Sequence, residues 1–303
     1  MSTNMARRLV HRLFTFLSGV PVVGLWVKRW KINRNFALER SVLNGKHKSN
    51  CRHRSILLFS FYRSGSTFVG ELMKKIAREA GLTPVDLDGY FYSLNKGKEW
   101  EGKGRVLQKV PYQPTGYYYG MFRSFNRGIP ALDKYKVVLV LRDPRDVLVS
   151  SYYAIYSHVT PLMENKKALR TRMTGRKKLL EQTVDEFVTS KLKRESNLLD
   201  KYREYYTELI GKPNVLFLKY EDMVEDFPAW LDQIIRFLEI DFRPGFIEEL
   251  KAGADFQVSK EDKFKHKRQV TPGDHKRKLK PETIEFLDNT SLEIRKLFGY
   301  GDR

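Results

Sequence analysis

The chain has 303 residues, and its 56 lysines and arginines exceed its 36 aspartates and glutamates to give a net charge of +20. A hydrophobic fraction of 41% is enough for a packed core and excludes global disorder. The charge indicates an anionic partner, which would be nucleic acid, a membrane surface, a nucleotide cofactor or a polyanionic substrate. The single cysteine, Cys51, excludes an internal disulfide framework and a multi-cysteine metal site, and it favours a reducing, cytoplasmic location.

Residues 1–54 differ from the rest and are interpreted as a basic and apolar arm that ends in a linker. Within it, basic residues flank the apolar run 13–27, which is shorter than the roughly 20 residues that span a bilayer. We expect the arm to pack on the domain. The alternatives are a short membrane anchor at 13–27 and peripheral membrane association through residues 7–34. The polar stretch 44–54 is expected to link the arm to one domain over 55–303.

From residue 55 onward, short apolar runs alternate with amphipathic stretches. The predicted strands are 55–61, 105–110, 136–141 and 214–218. The predicted helices are 68–81, 147–156, 184–210, 230–238 and a single last helix that begins at Pro281. This alternation predicts an α/β fold, a single domain whose central parallel sheet is flanked by helices.

The first motif joins the strand at 55–61 to the next helix and reads Tyr-Arg-Ser-Gly-Ser-Thr-Phe over residues 62–68. Backbone N–H groups at a helix start lack intrahelical partners and bind anions, and Gly65 lets the backbone come close. Further donors come from Arg63, Ser64, Ser66 and Thr67. The motif therefore predicts a phosphate or sulfate site, with an ordinary helix cap as the alternative. It lacks the Gly-Lys-Ser/Thr ending of a Walker loop and a clear magnesium ligand.

The second motif places Arg142 at the end of the strand 136–141 and Ser150 eight residues later on the following helix. Open α/β sheets bind ligands at the carboxyl ends of their strands, and a guanidinium can hold a phosphate with two parallel hydrogen bonds. We expect Asp143 and Asp146 to cap the helix and to pair with Arg145. A salt-bridged strand–helix corner is the alternative interpretation.

Together the two motifs resemble those of the sulfotransferases that use 3′-phosphoadenosine 5′-phosphosulfate (PAPS). Residues 62–68 look like the family's 5′-phosphosulfate loop, and Arg142 to Ser150 looks like its 3′-phosphate motif, with the spacing intact. The resemblance implies a P-loop NTPase-like sulfotransferase fold without a metal. It also implies transfer of a sulfuryl group from PAPS to a hydroxyl or amine of a small-molecule, lipid or glycan acceptor.

Further segments resemble those that contact the adenine and the 3′-phosphate in this family. Tyr220 and Phe256 match the tyrosine and the aromatic residue near the base, and Phe68 stands where a tryptophan stacks in cytosolic members. Arg268 matches the family's late arginine for the 3′-phosphate. The chain departs there, because Arg-Gln-Val and Gly-Asp-His replace Arg-Lys-Gly and Gly-Asp-Trp.

Three residues are candidates for the chemistry. Arg63 is expected to stabilise charge on the leaving phosphate, where many family members have lysine. Lys109 stands two residues before a proline, in the place of the family's histidine base. It would act either as a neutral base or, as we prefer, as a cation that binds the sulfonate. Asp88 is the alternative, a carboxylate base after the first helix.

Two other features bear on the acceptor and on rival functions. Aromatic residues between 113 and 127 would either stack on an acceptor or pack in the core, and two basic runs, 164–180 and 260–280, are either solvated faces or binding surfaces. The rivals are another nucleotide-dependent transferase of the P-loop kinase type and a nucleic-acid-binding protein. The first would need a Walker lysine and a magnesium-binding acid, and the sequence has neither in the right place. The second would explain the basic runs and the aromatic residues but not two anion sites at strand ends.

Overall fold

The computed structural model describes residues 29–94, 110–157, 181–194, 197–254, 256 and 271–301. In this part of the chain five strands form one sheet: β1 (Ile56–Ser60), β2 (Thr83–Val85), β3 (Tyr117–Phe122), β4 (Lys136–Leu141) and β5 (Val215–Lys219). Their order is β2-β3-β1-β4-β5, and every neighbouring pair is parallel. The predicted α/β fold with a central parallel sheet is confirmed.

Helices connect the strands and cover both faces of the sheet. In chain order they are α1 (Ala37–Leu43), α2 (Ser66–Glu79), α3 (Leu87–Ser93), α4 (Pro144–Ser157), α5 (Val184–Arg194), α6 (Asn197–Leu209), α7 (Tyr220–Glu225), α8 (Phe227–Leu238), α9 (Phe246–Ala252), α10 (Asp274–Lys278), α11 (Pro281–Thr290) and α12 (Leu292–Phe298). The predicted helices 68–81, 147–156 and 230–238 correspond to α2, α4 and α8.

Two predicted helices are each divided in the structure. The run 184–210 forms α5 and α6, and the single helix expected from Pro281 forms α11 and α12, with Ser291 between them. The Oγ of Ser291 donates a hydrogen bond to the carbonyl of Leu287, at 2.6 Å. A serine hydroxyl that bonds back to the preceding turn competes with the backbone hydrogen bonds of the helix and bends the chain. The helix is therefore interrupted at Ser291, although the apolar periodicity of the sequence continues past it.

The core forms two clusters, because alternate residues of each strand point to opposite faces of the sheet. Leu57 and Phe59 of β1 belong to the cluster packed under α4, α5 and α6. Ile56 and Leu58 belong to the other cluster, under α2 and α8. The sheet therefore separates two layers, and the carboxyl ends of its strands open between them.

The sequence pattern does not predict strands β2 and β3. The predicted strand 105–110 lies outside the described residues except for Val110, which is not in a strand. The strand β3 comes from the aromatic run, where Tyr117, Tyr118 and Tyr119 are at most 2% exposed. Aromatic residues favour strands, but three consecutive tyrosines show neither alternation nor an aliphatic run, so their burial is not visible in the pattern.

The described part of the N-terminal arm packs on the domain. Val42 of α1 is buried in the core, and the Glu39 carboxylate accepts a hydrogen bond from the Asp86 backbone at 3.0 Å. The guanidinium of Arg54 donates to the carbonyls of Lys134 and Tyr135. The apolar run 13–27 lies outside the described residues. No helix in the described ranges is long and apolar enough to cross a bilayer.

Candidate functional site

Both anion-binding motifs lie at the same edge of the sheet. The strands β1 and β4 are parallel neighbours, with Ser60 paired to Val140 near their carboxyl ends. The chain continues from β1 towards β2 on one side and from β4 towards β5 on the other. This change of direction is the topological switch point where open α/β sheets bind ligands, and the first motif and Arg142 flank it.

The loop after β1 turns sharply into α2. Two of its residues have left-handed backbones, Arg63 with φ of +70° and Gly65 with φ of +69°. Helix α2 then begins at Ser66, so its first N–H groups face the turn. The hydroxyl of Ser64 is buried without a hydrogen-bond partner among the described residues. Such an orphaned group next to a helix start suits an anion.

Tyr220 closes one side of this turn. It follows directly after β5 and is buried, and its ring lies against Gly65. A Cβ atom at Gly65 would come within 2.9 Å of the Tyr220 Cδ2 atom. The glycine is therefore required both by its backbone angle and by the approach of the tyrosine.

Arg142 joins the first loop to the ring of Tyr220. Its Nη1 donates to the carbonyl of Arg63 at 3.2 Å, and its guanidinium lies 4.5 Å from the centroid of the Tyr220 ring. The β4–β5 register, which pairs Leu141 with Lys219, places these two residues side by side. The Nε of Arg142 is buried and has no partner in the part of the chain that the structure describes.

Ser150 lies on α4 next to the same loop. Its Oγ accepts a hydrogen bond from the Nε of Arg63 at 3.1 Å. Arg63, Arg142 and Ser150 therefore meet at one place, with two guanidinium groups and one hydroxyl close together. This arrangement can bind phosphate or sulfate groups through several donors at once.

The carboxylate of Asp146 fixes Arg142 and the segment after residue 271. Its Oδ2 lies 3.4 Å from the Nη2 of Arg142 and accepts from the Gly273 backbone at 2.7 Å. Its Oδ1 accepts from the backbone and the Nδ1 of His275, at 2.9 and 2.7 Å. Burial alone would raise the pKa of Asp146, but the His275 hydrogen bond and the Arg142 charge hold it well below its ordinary value.

The same carboxylate keeps Arg142 charged. Burial alone would lower the pKa of the Arg142 guanidinium, but the charge of Asp146 raises it above its ordinary value. Arg142 is thus a buried cation at every working pH.

The expected pairing of Asp146 with Arg145 is wrong. Arg145 pairs with Asp143, as expected, and also with Asp288 of α11, each at 2.6 Å. The expected helix cap by Asp143 is confirmed as well, because its carboxylate accepts from the Arg145 backbone. Asp146 turns to the other side of α4 because two backbone N–H groups and a histidine converge there. Nothing local in the sequence indicates these partners, which lie 127 and 129 residues away.

A second carboxylate, Glu221, is buried beside Arg142. Its Oε1 accepts a hydrogen bond from the Asp143 backbone at 3.0 Å, whereas its Oε2 has no partner among the described residues. Burial raises the pKa of Glu221 to about 7, although the Asp143 hydrogen bond and the Arg142 charge act in the opposite direction. The hydroxyl of Tyr202 donates to the Arg142 carbonyl at 2.5 Å, so both groups position the start of α4.

Aromatic rings collect on the α2 side of the site. The centroid of the Phe68 ring lies 5.1 Å from that of Phe256 and 5.6 Å from that of Phe227. Phe256 and Phe68 are both partly exposed and pack against the same core cluster as Tyr220. The resemblance implies that these three residues surround the adenine, and in the structure they lie on one side of the site.

Asp88 lies on the other side, at the start of α3. The Nε of Arg123 is 3.5 Å from its Oδ2, and the guanidinium of Arg123 lies 4.4 Å from the centroid of the Tyr62 ring. Asp88 is therefore linked by Arg123 to the residue before Arg63. Lys109 and Arg268 lie outside the described residues. So do the basic run 164–180 and the first part of the run 260–280, up to residue 270.

The aromatic run near residue 120 belongs to the core instead of lining the site. Tyr117, Tyr118, Tyr119 and Phe122 are buried in β3, which leaves Phe125 as the partly exposed member. In the described ranges there is also no group of three or more histidine, cysteine or acidic side chains placed to hold a metal.

Comparisons with known proteins identify the family of this chain. A family model described as "Sulfotransferase domain" matches residues 53–298. Sulfotransferase 1E1 of Rattus norvegicus is 23% identical over 274 residues, which cover 86% of this chain and 79% of that protein.

Two solved structures share the fold at 19% sequence identity. The crystal structure of mouse sulfotransferase SULT7A1 complexed with PAP has a TM-score of 0.56 and covers 87% of this chain and 94% of that chain. Retinol dehydratase in complex with androsterone and the inactive cofactor PAP has a TM-score of 0.53, covering 84% of this chain and 83% of that chain.

Proposed function

The chain belongs to the sulfotransferase family, and on that premise we propose how its sheet edge binds PAPS and which residues act in the transfer. The enzyme is a PAPS-dependent sulfotransferase. It breaks the bond between sulfur and the bridging oxygen of the 5′-phosphate, and it forms a bond from sulfur to an acceptor oxygen or nitrogen. The products are the sulfated acceptor and adenosine 3′,5′-bisphosphate (PAP), and the acceptor proton passes to a base.

In our proposal the 5′-phosphosulfate lies in the loop from Arg63 to Thr67, and the 3′-phosphate lies against Arg142 and Ser150. The observation that carries this assignment is the pair of contacts between the motifs, from Arg142 to the Arg63 carbonyl and from Arg63 to Ser150. One small molecule that bears two phosphates can reach both motifs, because they are within hydrogen-bond distance of each other.

Two buried atoms support the fit to phosphate oxygens. The Nε of Arg142 and the Oγ of Ser64 are donors without partners among the described residues, and leaving such donors unpaired costs about 1–3 kcal/mol each. Phosphate oxygens would satisfy both. The adenine is assigned to Tyr220, Phe68 and Phe256, whose rings lie on one side of the motifs. Arg268 is retained as a further 3′-phosphate ligand on the resemblance alone.

The transfer depends on positioning of the reactants and on stabilisation of charge more than on covalent catalysis. The sulfuryl group passes in line between two oxygens, and negative charge grows on the leaving phosphate. Arg63 is the proposed stabiliser, since its guanidinium is held at the loop by Ser150. Lys109 is proposed either to bind the sulfonate or to act as the base. Asp88 is the alternative base.

The acceptor is proposed to be a small molecule. Androsterone, bound to the structurally similar retinol dehydratase, is such a compound, and a glycan or lipid acceptor is the alternative. A cytoplasmic location is proposed because Cys51 is a free thiol, which suits a reducing compartment. Peripheral attachment through residues 7–34 remains part of the proposal.

The test is thermal melting of the full chain with PAP, ATP or a DNA oligomer, followed by transfer of sulfur-35 from labelled PAPS to a panel of candidate acceptors. At about 100 times its Kd, a ligand stabilises the folded state by about 2.7 kcal/mol. We expect a large upward shift in Tm with PAP and little with the others. An equal shift with ATP would favour the kinase-like alternative, and a larger shift with DNA would favour nucleic-acid binding.

A further inference from the structure

A cavity of about 250 Å³ lies beside the site on the face of the sheet that α5 and α6 cover. Its wall includes Phe61 and Tyr62 from the loop after β1, Ser151 from α4 and Leu198 from α6. Two lysines complete the wall, Lys191 of α5 and Lys201 of α6.

The cavity is next to Arg63 and Ser150, which are assigned to the leaving phosphate and to the 3′-phosphate. Tyr62 precedes Arg63 in the chain, Ser151 follows Ser150, and Arg63 and Ser150 are hydrogen-bonded at 3.1 Å. Residues four apart on a helix share a face, so Ser151 and Val147 line the cavity while Ser150 faces Arg63 on the adjacent side of α4. An acceptor in the cavity would reach the sulfonate from the side opposite the adenine rings, which pack against the other core cluster.

The charge and the lining of the cavity define the chemistry that it suits. Both lysines are half-buried, with their ammonium nitrogens 5.7 Å from the Phe187 centroid and 5.5 Å from the Phe61 centroid. No acidic side chain is among the described residues that line the cavity. Two partly desolvated cations next to an apolar wall favour a ligand that has an apolar body and an anionic group.

The volume limits the size of that ligand. Pockets for drug-sized ligands hold about 300–1,000 Å³, so a cavity of about 250 Å³ suits a single ring with a short chain. We propose that the acceptor is a small one-ring alcohol, phenol or amine that also carries a carboxylate or another anionic group, which Lys191 and Lys201 bind. This inference rests on the proposed function and adds the substrate class to it.

The test uses two probes of nearly equal shape, 4-hydroxyphenylacetate and its neutral amide, 4-hydroxyphenylacetamide. Their binding to the PAP-loaded enzyme is measured by calorimetry. One charged hydrogen bond is enough for roughly tenfold tighter binding of the carboxylate. We expect this preference in the wild type and expect it to shrink at high salt, because exposed charges are screened.

Lys191→Met and Lys201→Met keep most of the apolar stem and should each reduce the preference several-fold. Lys212→Met is the matched control, because Lys212 is exposed in the turn before β5, at the opposite edge of the sheet. It should leave the preference unchanged, and melting of each variant checks its folding.

Equal affinity for the two probes, binding of neither, or an unchanged preference in both lysine variants would overturn the inference. PAP binding, measured on the same samples, distinguishes a failure of this inference from a failure of the proposed function. An enzyme that binds PAP but does not discriminate between the probes overturns the acceptor class alone. An enzyme that does not bind PAP overturns the proposed function, and this inference with it.

Discussion

The Nε of Arg63 donates a hydrogen bond to the Oγ of Ser150 at 3.1 Å, although 87 residues separate them in the chain. The contact joins the turn after β1 to the helix after β4. Because Arg142 also donates to the Arg63 carbonyl, the two motifs form one continuous group of donors at the switch point of the sheet. Substitutions at single residues in and around this group should therefore have separable effects on cofactor binding, stability and turnover.

Replacing Arg142 with alanine should abolish cofactor binding while leaving a folded protein. The guanidinium is charged and buried. In our proposal its loss removes at least two charged hydrogen bonds to the 3′-phosphate. At about 1.5–3 kcal/mol for each bond, PAP affinity should fall by at least about 100-fold. Calorimetric titration with PAP measures the loss.

Arg145→Met is the matched control for that variant. Arg145 is also buried and lies three residues away, but it pairs with Asp143 and Asp288 instead of facing the site. Breaking a buried pair costs about 3–5 kcal/mol, so this variant should unfold more easily yet bind PAP normally while folded. If Arg142→Ala lowers stability and leaves PAP affinity intact, Arg142 stabilises the corner between β4 and α4 and does not bind the cofactor.

Gly65→Ala should weaken PAP binding by displacing Tyr220. The new Cβ would lie 2.9 Å from the Tyr220 ring and 3.0 Å from Met223, at a backbone angle that disfavours a side chain. Overpacking of about 1–3 kcal/mol corresponds to roughly a tenfold or greater loss of affinity. Gly245→Ala separates the two effects, because Gly245 has φ of +80° and a Cβ added there would meet nothing within 4 Å. An equal loss of PAP affinity in both variants would contradict the role of Tyr220.

Glu221 should make stability depend on pH between its unfolded and folded pKa values. Burial raises the pKa from 4.5 to about 7, so in this range the unfolded chain loses a proton that the folded chain keeps. The stabilising contribution is complete below the unfolded pKa and is lost as pH rises through the folded pKa, by at most about 3 kcal/mol. Urea unfolding of wild type and Glu221→Gln across this range measures it. The variant should lose this part of the slope, and parallel curves would contradict the assignment.

The identity of the base is tested by Lys109→Ala and Asp88→Ala. Loss of a positioned base or sulfonate ligand lowers kcat by about 10²–10⁴-fold. We expect this loss for Lys109→Ala, with PAP affinity retained in both variants. Near-normal turnover of Lys109→Ala together with an inactive Asp88→Ala would assign the role to the Asp88 carboxylate. The Oδ2 of this carboxylate lies 3.5 Å from the Nε of Arg123.

A chelator such as EDTA should leave turnover unchanged. In our proposal Arg63 and Arg142 supply the positive charge that magnesium supplies in P-loop kinases. Sulfur-35 transfer in the presence and absence of EDTA and of added magnesium measures the effect. A requirement for magnesium would contradict the assignment of charge stabilisation to Arg63.

The parts of the site that depend on local sequence were predictable, because strand ends, turn glycines and helix starts have short-range signals. The proximity of Arg63, Arg142 and Ser150 follows from two motifs at the ends of neighbouring parallel strands. The place of Tyr220 beside Arg142 follows from the β4–β5 register, once β5 is placed.

The parts that were not predictable depend on long-range packing. Asp146 was assigned to Arg145, a neighbour in sequence, whereas its partners Gly273 and His275 come from another segment. The burial of β3 depends on its position between β1 and β2, which three consecutive tyrosines do not reveal. The raised pKa of Glu221 likewise results from burial by surrounding elements and not from its own motif.

The contacts of Asp146 mean that the C-terminal segment supports the proposed nucleotide site and is not an appendage that follows the last strand. A fragment that stops before residue 271 would keep the whole sheet, yet it would take three hydrogen-bond donors away from a buried carboxylate next to Arg142. Minimal versions of this enzyme for crystallisation or engineering should therefore extend beyond His275.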